Sequence, residues 1–162
     1  MNFDPLAVLC ALGDGGVEYL VIGGVAATLH GSPLSTGDLD VCPARHRANL
    51  DRLAAALKRV GARIQSVGEP EGVALPADGA LLGQADVWNL TTPYGRLDLA
   101  FRPAGTSGYD DLKRDAVTFR IGDLDIPTAS LRDVIRSKEA AGRERDRMAL
   151  PTLRRLLEEF ER

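Results

Sequence analysis

The sequence predicts an α/β (α+β) fold with a mixed central sheet, flanking helices and a C-terminal helical pair. Three observations lead to this prediction: helical and strand patterns alternate early in the chain, two later stretches resemble β-hairpins, and two amphipathic patterns follow them. With 162 residues, the chain fits one compact domain overall. We divide it into a core at 1–128 and a helical annex at 129–162.

Composition and charge exclude several classes of protein. Hydrophobic residues make up 44% of the chain and charged residues 27%, and the net charge of −3 gives no overall field for nucleic acid. No apolar run reaches the roughly 20 residues of a membrane span, and the N-terminus lacks the features of a signal peptide. Cys10 and Cys42 lie in apolar segments. We therefore expect a cytoplasmic protein with two buried, reduced thiols and no membrane partner.

The first elements alternate helix and strand. Asp4 and Pro5 are typical of an N-cap and the first residue of a helix, which we expect to run to about Leu12. The segment "EYLVIGG" predicts a short strand, and "GVAATLHG" predicts a compact helix between glycines. "DLDVCP" predicts a second strand. The leucines of "HRANLDRLAAALKRVG" have helical spacing, and "ARIQSV" predicts a third strand.

The second half of the chain predicts hairpins and then helices. Residues 66–84, rich in Gly, Pro and Ala, predict a long loop or an excursion beside the sheet. "ADVWNLTT" and "GRLDLAFRP" predict one hairpin, and "VTFRIGDLDIPTA" predicts another, with the short helix "GYDDLKRDA" between them. Ser130 and Asp133 have the spacing of a capping box at the start of a helix. We expect the last helix to bend or restart at Pro151.

Two aspartates in an apolar strand indicate a functional site. Asp38 and Asp40 are two residues apart, so on a strand they point to the same face. Neighbouring carboxylates repel each other unless a proton or a cation separates them, and Mg²⁺ prefers carboxylate oxygens together with substrate phosphates. Asp98 lies in a similar setting in "GRLDLAF". Three such carboxylates on one sheet face would complete a two-metal site for phosphoryl or nucleotidyl transfer.

The glycine pair Gly23-Gly24 predicts the anion-binding part of such a site. It follows a strand and opens a helix, where glycine lets the backbone approach a ligand and the helix N-terminus favours anions. Many strand-to-helix turns contain glycine, so the pair alone is weak evidence. Together with the three aspartates, it is fairly specific.

The succession of strand, Gly-Gly, short helix and Asp-x-Asp resembles the nucleotidyltransferase superfamily that includes DNA polymerase β. The likeness is greatest to its small prokaryotic members, among them the AbiE-type toxins of abortive infection. It covers nearly the whole chain, through "VIGGVAATLHG", "TGDLDV", "YGRLDLAFRPAG" and "LRDVIRSKEAAGRERD". The resemblance implies the nucleotidyltransferase fold and transfer of a nucleoside monophosphate from an NTP to an acceptor hydroxyl, with release of pyrophosphate and Mg²⁺ or Mn²⁺ as cofactor.

The resemblance also implies which residues carry the chemistry. Asp38, Asp40 and Asp98 would bind the metal ions, and Asp98 would help to deprotonate the acceptor hydroxyl. Lys138, in "SKEAAGRERD", would approach the phosphates and act in catalysis.

The implied nucleotide-binding residues lie in two segments. Gly23 and Gly24 would hold the triphosphate, while Ser35 and Thr36 belong to the segment before Asp-x-Asp. Small relatives often carry arginine shortly before this threonine, whereas this chain has Leu34. One expected cation is therefore missing from the nucleotide site.

The sequence leaves the identity of the acceptor open. A toxin-like enzyme acting on RNA, in particular tRNA, and paired with an antitoxin is favoured by the basic stretch 136–155. In one helical register Arg136, Arg143 and Arg147 would share a side, unless Asp146 pairs with them. A small-molecule acceptor such as an antibiotic, a protein acceptor, and a degenerate non-catalytic binding module are also compatible with the sequence. Retention of all three aspartates argues against the non-catalytic module.

Several residues of catalytic type are interpreted as structural. Asp123 and Asp125 repeat the Asp-x-Asp pattern, but no glycine-opened helix precedes them, so we place them at a hairpin turn. His30 stands at a helix end and is expected to cap or pack. Trp88 and Tyr94 are expected to pack on the sheet.

Overall fold

The structure is a computed structural model that describes residues 2–76 and 78–162. One eight-stranded sheet has the strand order β4-β3-β5-β6-β2-β1-β8-β7. Its strands are β1 (Tyr19–Ile22), β2 (Asp38–Pro43), β3 (Arg63–Ser66), β4 (Glu69–Ala74), β5 (Val87–Thr92), β6 (Gly95–Ala100), β7 (Val117–Ile121) and β8 (Leu124–Thr128). The helices are α1 (Pro5–Asp14), α2 (Gly23–Leu29), α3 (Arg47–Arg59), α4 (Gly79–Leu82), α5 (Tyr109–Lys113), α6 (Leu131–Ala141) and α7 (Glu144–Phe160).

The sheet is mixed, as predicted. Strand β1 pairs antiparallel with β2 and parallel with β8, while β2 pairs parallel with β6. The predicted hairpins β5–β6 and β7–β8 are both antiparallel. Strands β2 and β6 are therefore direct neighbours, although two helices and three strands separate them along the chain.

Alternation along β2 and β6 separates the core from the site. Leu39, Val41, Leu97 and Leu99 are at most 1% exposed and belong to one large hydrophobic cluster that also contains residues of α1 and α3. Burying each such side chain stabilises the fold by roughly 1.5–3 kcal/mol. The residues between them point to the opposite face. The core thus fixes where the aspartates of both strands point.

The predicted helix starts are confirmed. Asp4 Oδ1 accepts a hydrogen bond from the Ala7 amide at 3.3 Å, and Ser130 Oγ accepts one from the Asp133 amide at 3.1 Å. Pro5 occupies the first turn of α1, where a missing N–H costs nothing.

The last helix does not restart at Pro151, one of the two predicted alternatives, because α7 runs without interruption through this residue. Leu150 and Leu153 are buried on either side of this exposed proline. Their packing keeps the helix continuous despite the hydrogen bond that proline cannot donate.

The predicted long loop at 66–84 is wrong. It contains the edge strand β4, paired with β3, and the short helix α4, which Asp78 caps. Pro70 and Gly72 make β4 a poor strand by composition, but an edge strand tolerates them because one side of its backbone needs no partner. Burial of both thiols is also only half right. Cys42 is buried, whereas Cys10 is exposed, because α1 buries the side formed by Val8, Leu9 and Leu12.

The closing helices pack against the core through α2. The annex residues Leu131, Val134, Ile135, Leu150 and Leu153 share the hydrophobic cluster of the central strands. His30 caps the C-terminus of α2 and places Nε2 2.8 Å from the Ala129 carbonyl oxygen. A search of residues 2–76 and 78–162 finds no helix with the length and apolarity of a membrane span.

Candidate active site

Three aspartates project from two neighbouring parallel strands into one cleft. Asp40 on β2 is the register partner of Asp98 on β6, and Asp38 is the partner of Arg96. All three aspartates are half-buried and line the same cleft. The pairing brings together residues that are far apart in the chain.

The two paired carboxyl groups influence each other strongly. Burial raises the pKa of Asp40 to about 7, and the negative charges of Asp98 and Asp38 contribute to that rise. Burial also raises the pKa of Asp98, although the Arg96 guanidinium acts in the opposite direction. Proximity therefore makes it costly for both groups to be ionised at once.

Two arginines supply part of the missing positive charge. Arg96 Nε lies 3.7 Å from Asp38 Oδ1. Arg145, near the start of α7, lowers the pKa of both Asp40 and Asp98 through its charge. Both arginines are exposed, so solvent screens their effect.

The aspartates fit a divalent cation in their chemistry. Within residues 2–76 and 78–162, no group of three or more His, Cys, Asp or Glu side chains is arranged to hold a metal ion. The carboxylates nevertheless offer the hard oxygen ligands that Mg²⁺ and Mn²⁺ prefer. Asp98 Oδ1 is buried without a hydrogen-bond partner, and a cation would satisfy such an atom. Asp38, Asp40 and Asp98 would hold the ion once their carboxylates turn towards a common point.

Close contacts explain both residues of the glycine pair. Gly23 has a φ of +65°, and a Cβ at this position would lie 2.5 Å from Asp40 Oδ2. A Cβ on Gly24 would lie 2.7 Å from Thr36 Oγ1. Thr36 in turn donates a hydrogen bond to the Asp38 carbonyl oxygen at 3.2 Å. A side chain at either position would therefore clash where the start of α2 approaches Asp40 and Thr36.

Two adjoining clefts open from the aspartates. The glycine-side cleft, with a volume of about 520 Å³, contains every residue proposed from the sequence for nucleotide, metal or catalysis: Gly23, Gly24, Ser35, Thr36, Asp38, Asp40, Asp98 and Lys138. The strand-side cleft, of about 480 Å³, extends from the same aspartates over β5 and β6 to the segment after β6. Both volumes are typical of small-molecule sites.

Lys138 of α6 lines both clefts and pairs with Asp146, a buried aspartate of α7 that lines the glycine-side cleft. Asp146 is 0% exposed, and its carboxylate lies 2.7 Å from Arg143 Nε and 3.6 Å from Lys138 Nζ. Burial opposes ionisation of Asp146, but the hydrogen bond and charge of Arg143, together with the charge of Lys138, lower its pKa. The ionised Asp146 therefore holds Lys138 next to the cleft.

The arginines expected to form an RNA-binding face have intramolecular partners instead. Arg136 lies 3.1 Å from Asp133 and 3.2 Å from Asp111. Arg143 pairs with Asp146, and Arg147 donates to the Gly142 carbonyl oxygen at 3.1 Å. The three side chains therefore do not present one unpaired basic side.

Sequence reasoning missed four polar residues of the strand-side cleft, namely Asn89, Arg96, Arg102 and Arg145. Arg96 and Arg102 carry a recognisable signal, since both stand at even spacing from Asp98. Asn89 is the register partner of Asp98 on β5, a relation that depends on the exact pairing of the hairpin. Arg145 belongs to the basic stretch 136–155, and only the fold brings it to the aspartates.

Most residues interpreted as structural have structural contacts, but the prediction that Tyr94 packs on the sheet is wrong, because Tyr94 is exposed in the turn between β5 and β6. Trp88 Nε1 donates to the Leu82 carbonyl oxygen at 2.8 Å, and the His30 ring packs edge-to-face on Phe119 at a centroid distance of 5.0 Å. Asp123 lies in the turn between β7 and β8, whereas Asp125 belongs to β8 and pairs with Arg120 at its register position.

Solved structures with a similar fold are nucleotidyltransferases. The lincomycin-bound lincosamide antibiotic adenylyltransferase LnuA superposes with a TM-score of 0.64 at 16% identity, covering 96% of this chain and 99% of that chain. A candidate nucleotidyltransferase from Thermotoga maritima has a TM-score of 0.56 at 16% identity, covering 96% and 91%. ANT(2")-Ia in complex with adenylyl-2"-tobramycin has a TM-score of 0.51 at 14% identity, covering 79% and 68%.

These likenesses give the chain the nucleotidyltransferase fold. No family model matches the sequence. No curated protein matches it either. At 14–16% identity, the similarity extends to the architecture and not to a substrate.

Proposed function

We propose that this protein is a metal-dependent nucleotidyltransferase that moves a nucleoside monophosphate from an NTP to a hydroxyl group of a small molecule. The observation that carries the proposal is the paired position of Asp40 and Asp98 on neighbouring strands, at the junction of two clefts and beside a glycine turn. The fold of the solved neighbours supports the same reaction class.

In this proposal the glycine-side cleft takes the NTP. Gly23 and Gly24 form a turn without side chains, so the triphosphate can approach the backbone there. Ser35 and Thr36 line the same cleft and offer hydroxyl groups there, with Thr36 next to Gly24. Lys138, which Asp146 holds in place, neutralises charge on the phosphates and on the departing pyrophosphate.

The reaction joins the acceptor oxygen to the α-phosphorus and breaks the bond from that phosphorus to the pyrophosphate oxygen. Asp98 orients the acceptor hydroxyl and accepts its proton, which requires an ionised carboxylate. Asp38, Asp40 and Asp98 would hold a divalent cation, which when bound neutralises their charges and the developing phosphate charge. Pyrophosphate leaves with the electron pair of the broken bond.

A small-molecule acceptor is preferred over RNA. Of the arginines that would hold an RNA backbone, Arg136 pairs with Asp111 and Asp133, and Arg143 pairs with Asp146. Arg147 donates to the Gly142 carbonyl oxygen. Two of the structural neighbours are antibiotic adenylyltransferases or were solved with an adenylylated antibiotic. A toxin-like role on RNA, with an antitoxin partner, is the second candidate function, which the basic stretch 136–155 favours and the same experiment tests.

The test is a transfer assay with purified protein, Mg²⁺ or Mn²⁺, each α-labelled NTP in turn, and separate pools of small metabolites, total RNA and protein. We expect label in the small-molecule fraction with at least one NTP and release of pyrophosphate. Asp40→Asn serves as the inactive control. Label in RNA alone would replace the small-molecule acceptor with RNA, and failure to bind any NTP in calorimetry would refute the nucleotidyltransferase itself.

A further inference from the structure

Strand β6 presents a line of alternating side chains along the floor of the strand-side cleft. Arg96, Asp98 and Ala100 follow each other at every second position, and Arg102 comes at the next such position, just beyond the strand. The line therefore has a cation at each end, with a carboxylate and then a methyl group between them. Beside Ala100, its register partner Val87 on β5 completes an apolar patch.

Arg102 has no carboxylate of its own. Among residues 2–76 and 78–162 no ion pair includes Arg102. Its charge acts on Asp86, but Asp86 is already paired with Arg45 at 2.6 Å. Two arginines thus share one carboxylate, and the cleft keeps an excess positive charge at this end.

The backbone on either side of Arg102 is fixed. Phe101 is 4% exposed, and its amide donates to the Asp86 carbonyl oxygen at 2.8 Å. Pro103 is buried, and its carbonyl oxygen accepts a hydrogen bond from Thr106. Arg102 is therefore an exposed cation on a rigid segment that faces a cleft, which reduces the entropy lost when it binds an anion.

The other arginines of this cleft have a different relation to the aspartates. Arg96 lies close to Asp38, and Arg145 acts on Asp40 and Asp98. Their charges offset the aspartates of the site. Arg102 lines the same cleft without an ion-pair partner among residues 2–76 and 78–162, so its charge remains for a ligand.

We propose that the acceptor is a small anionic molecule that places its hydroxyl at Asp98, its body over Ala100 and Val87, and its phosphate or carboxylate at Arg102. This inference rests on the proposed nucleotidyl transfer and adds the chemical class of the acceptor. The charge-assisted contact to Arg102 selects the anion, and the apolar patch accommodates the carbon skeleton.

The geometry also bounds the length of the acceptor. Residues 98 and 102 are four positions apart, which corresponds to at most about 13 Å between their Cα atoms on an extended chain. Both residues line the strand-side cleft. A hydroxyl and an anionic group separated by about one sugar ring fit between them, whereas a nucleic-acid backbone would need cations along a longer track.

Four sugars of similar size test the charge preference. Glucose 6-phosphate carries a phosphate ester, gluconate a carboxylate, glucose no charge, and glucosamine a positive charge. Binding of each is measured by calorimetry and amide chemical shifts on the full chain, with Mg²⁺ and a non-hydrolysable ATP analogue present. We expect at least one anionic sugar to bind about tenfold or more tightly than glucose, and glucosamine to bind no better than glucose. The two anionic sugars distinguish a phosphate from a carboxylate ligand.

Variants connect this preference to one side chain. Arg102→Gln should abolish the advantage of the anionic sugar while leaving binding of the ATP analogue unchanged. Arg155→Gln is the matched control, because it removes the same charge from an exposed position of α7 outside both clefts. A preference that survives in Arg102→Gln, or that disappears equally in both variants, would contradict the assignment of Arg102.

The outcomes separate this inference from the proposed function. If the protein binds the ATP analogue but treats the four sugars alike, whether all bind or none does, the anionic acceptor is wrong and nucleotidyl transfer still stands. The same holds if labelled nucleotide passes to glucosamine or to RNA in preference to anionic sugars. If the ATP analogue does not bind at all, the proposed function fails first.

Discussion

Asp40 and Asp98 stand side by side on neighbouring parallel strands, where burial and the negative charge of Asp98 raise the pKa of Asp40 to about 7. Neighbouring carboxylates in a half-buried cleft destabilise the fold when both are ionised without a counter-charge. The repulsion between the two carboxylates lowers the stability of the fold, and a bound cation would relieve it.

Asp40→Asn should reduce nucleotidyl transfer by on the order of 10²–10⁴-fold, as expected when a group that acts on the transferring charge is lost. Asp125→Asn is the matched control, since Asp125 belongs to the second Asp-x-Asp and pairs only with Arg120 at the surface. The measurement is pyrophosphate release with saturating NTP. An equal loss of pyrophosphate release in both variants would mean that the effect of Asp40→Asn does not come from the aspartate cleft.

The same substitution should stabilise the metal-free protein. An asparagine at position 40 can donate a hydrogen bond to Asp98 and adds no negative charge, whereas Asp40 is mostly ionised at pH 8, so we expect about 1 kcal/mol of added stability at that pH. Thermal unfolding in the presence of a chelator measures this difference. A lower melting temperature for Asp40→Asn than for the parent would show that the carboxylate supports the fold instead of straining it.

Gly24→Ala should weaken both folding and NTP binding. Its Cβ would come within 2.7 Å of Thr36 Oγ1 and 2.9 Å of Thr36 Cβ, so the turn or the threonine segment must move. We expect a loss of about 1–3 kcal/mol in urea unfolding and a weaker Kd for the ATP analogue. Gly13→Ala is the control. Gly13 lies in α1, and its added Cβ would be 3.7 Å from the Leu124 side chain, an ordinary contact distance. Unchanged NTP affinity in Gly24→Ala would contradict the proposal that the glycine pair contacts the nucleotide.

Asp146→Asn should reveal the buried ion pair between the closing helices. Removing the charge leaves Lys138 and Arg143 without their shared partner, and we expect a loss of about 2 kcal/mol at pH 7, below the value for fully buried pairs because Arg143 is exposed to solvent. Glu139→Gln, whose pair with Arg154 is exposed on both sides, should lose at most about 0.5 kcal/mol.

The pH dependence of that loss follows from the direction of the pKa shift. The pKa of Asp146 is lowered in the folded protein, so its contribution is fully present above the ordinary aspartate pKa and disappears as pH falls through the lowered value. Urea unfolding of the parent and of Asp146→Asn should therefore converge as the pH falls below about 4. A difference that stays constant from neutral to acid pH would mean that the asparagine acts through packing alone.

The candidate site could be predicted because its residues follow local rules. A period of two places Asp38 and Asp40 together, and Gly-Gly before a helix indicates a close approach whatever the tertiary fold. The third aspartate, Asp98, is recognisable by its apolar flanks. The sequence does not contain the parallel register that sets Asp98 beside Asp40, which the structure supplies.

The parts that could not be predicted depend on distant partners or on position in the sheet. The partner of Arg136 is Asp111, which lies on another helix, and no spacing rule connects them. Strand β4 contains Pro70 and Gly72 and becomes a strand only because it lies at an edge. Cys10 has apolar sequence neighbours, yet the helix turns it outward.

Strand β8 joins β1 beside the aspartate strands, and the chain then enters α6 and α7, whose residues form the remaining wall of both clefts. During synthesis on the ribosome, residues 1–128 can therefore place all three aspartates on a sheet before any opposing wall exists. Lys138 and its buried partner Asp146 arrive later. A nascent chain at that stage carries the three aspartates and Arg96 but lacks Lys138, Arg143 and Arg145, so we expect it to bind the proposed NTP more weakly than the full chain.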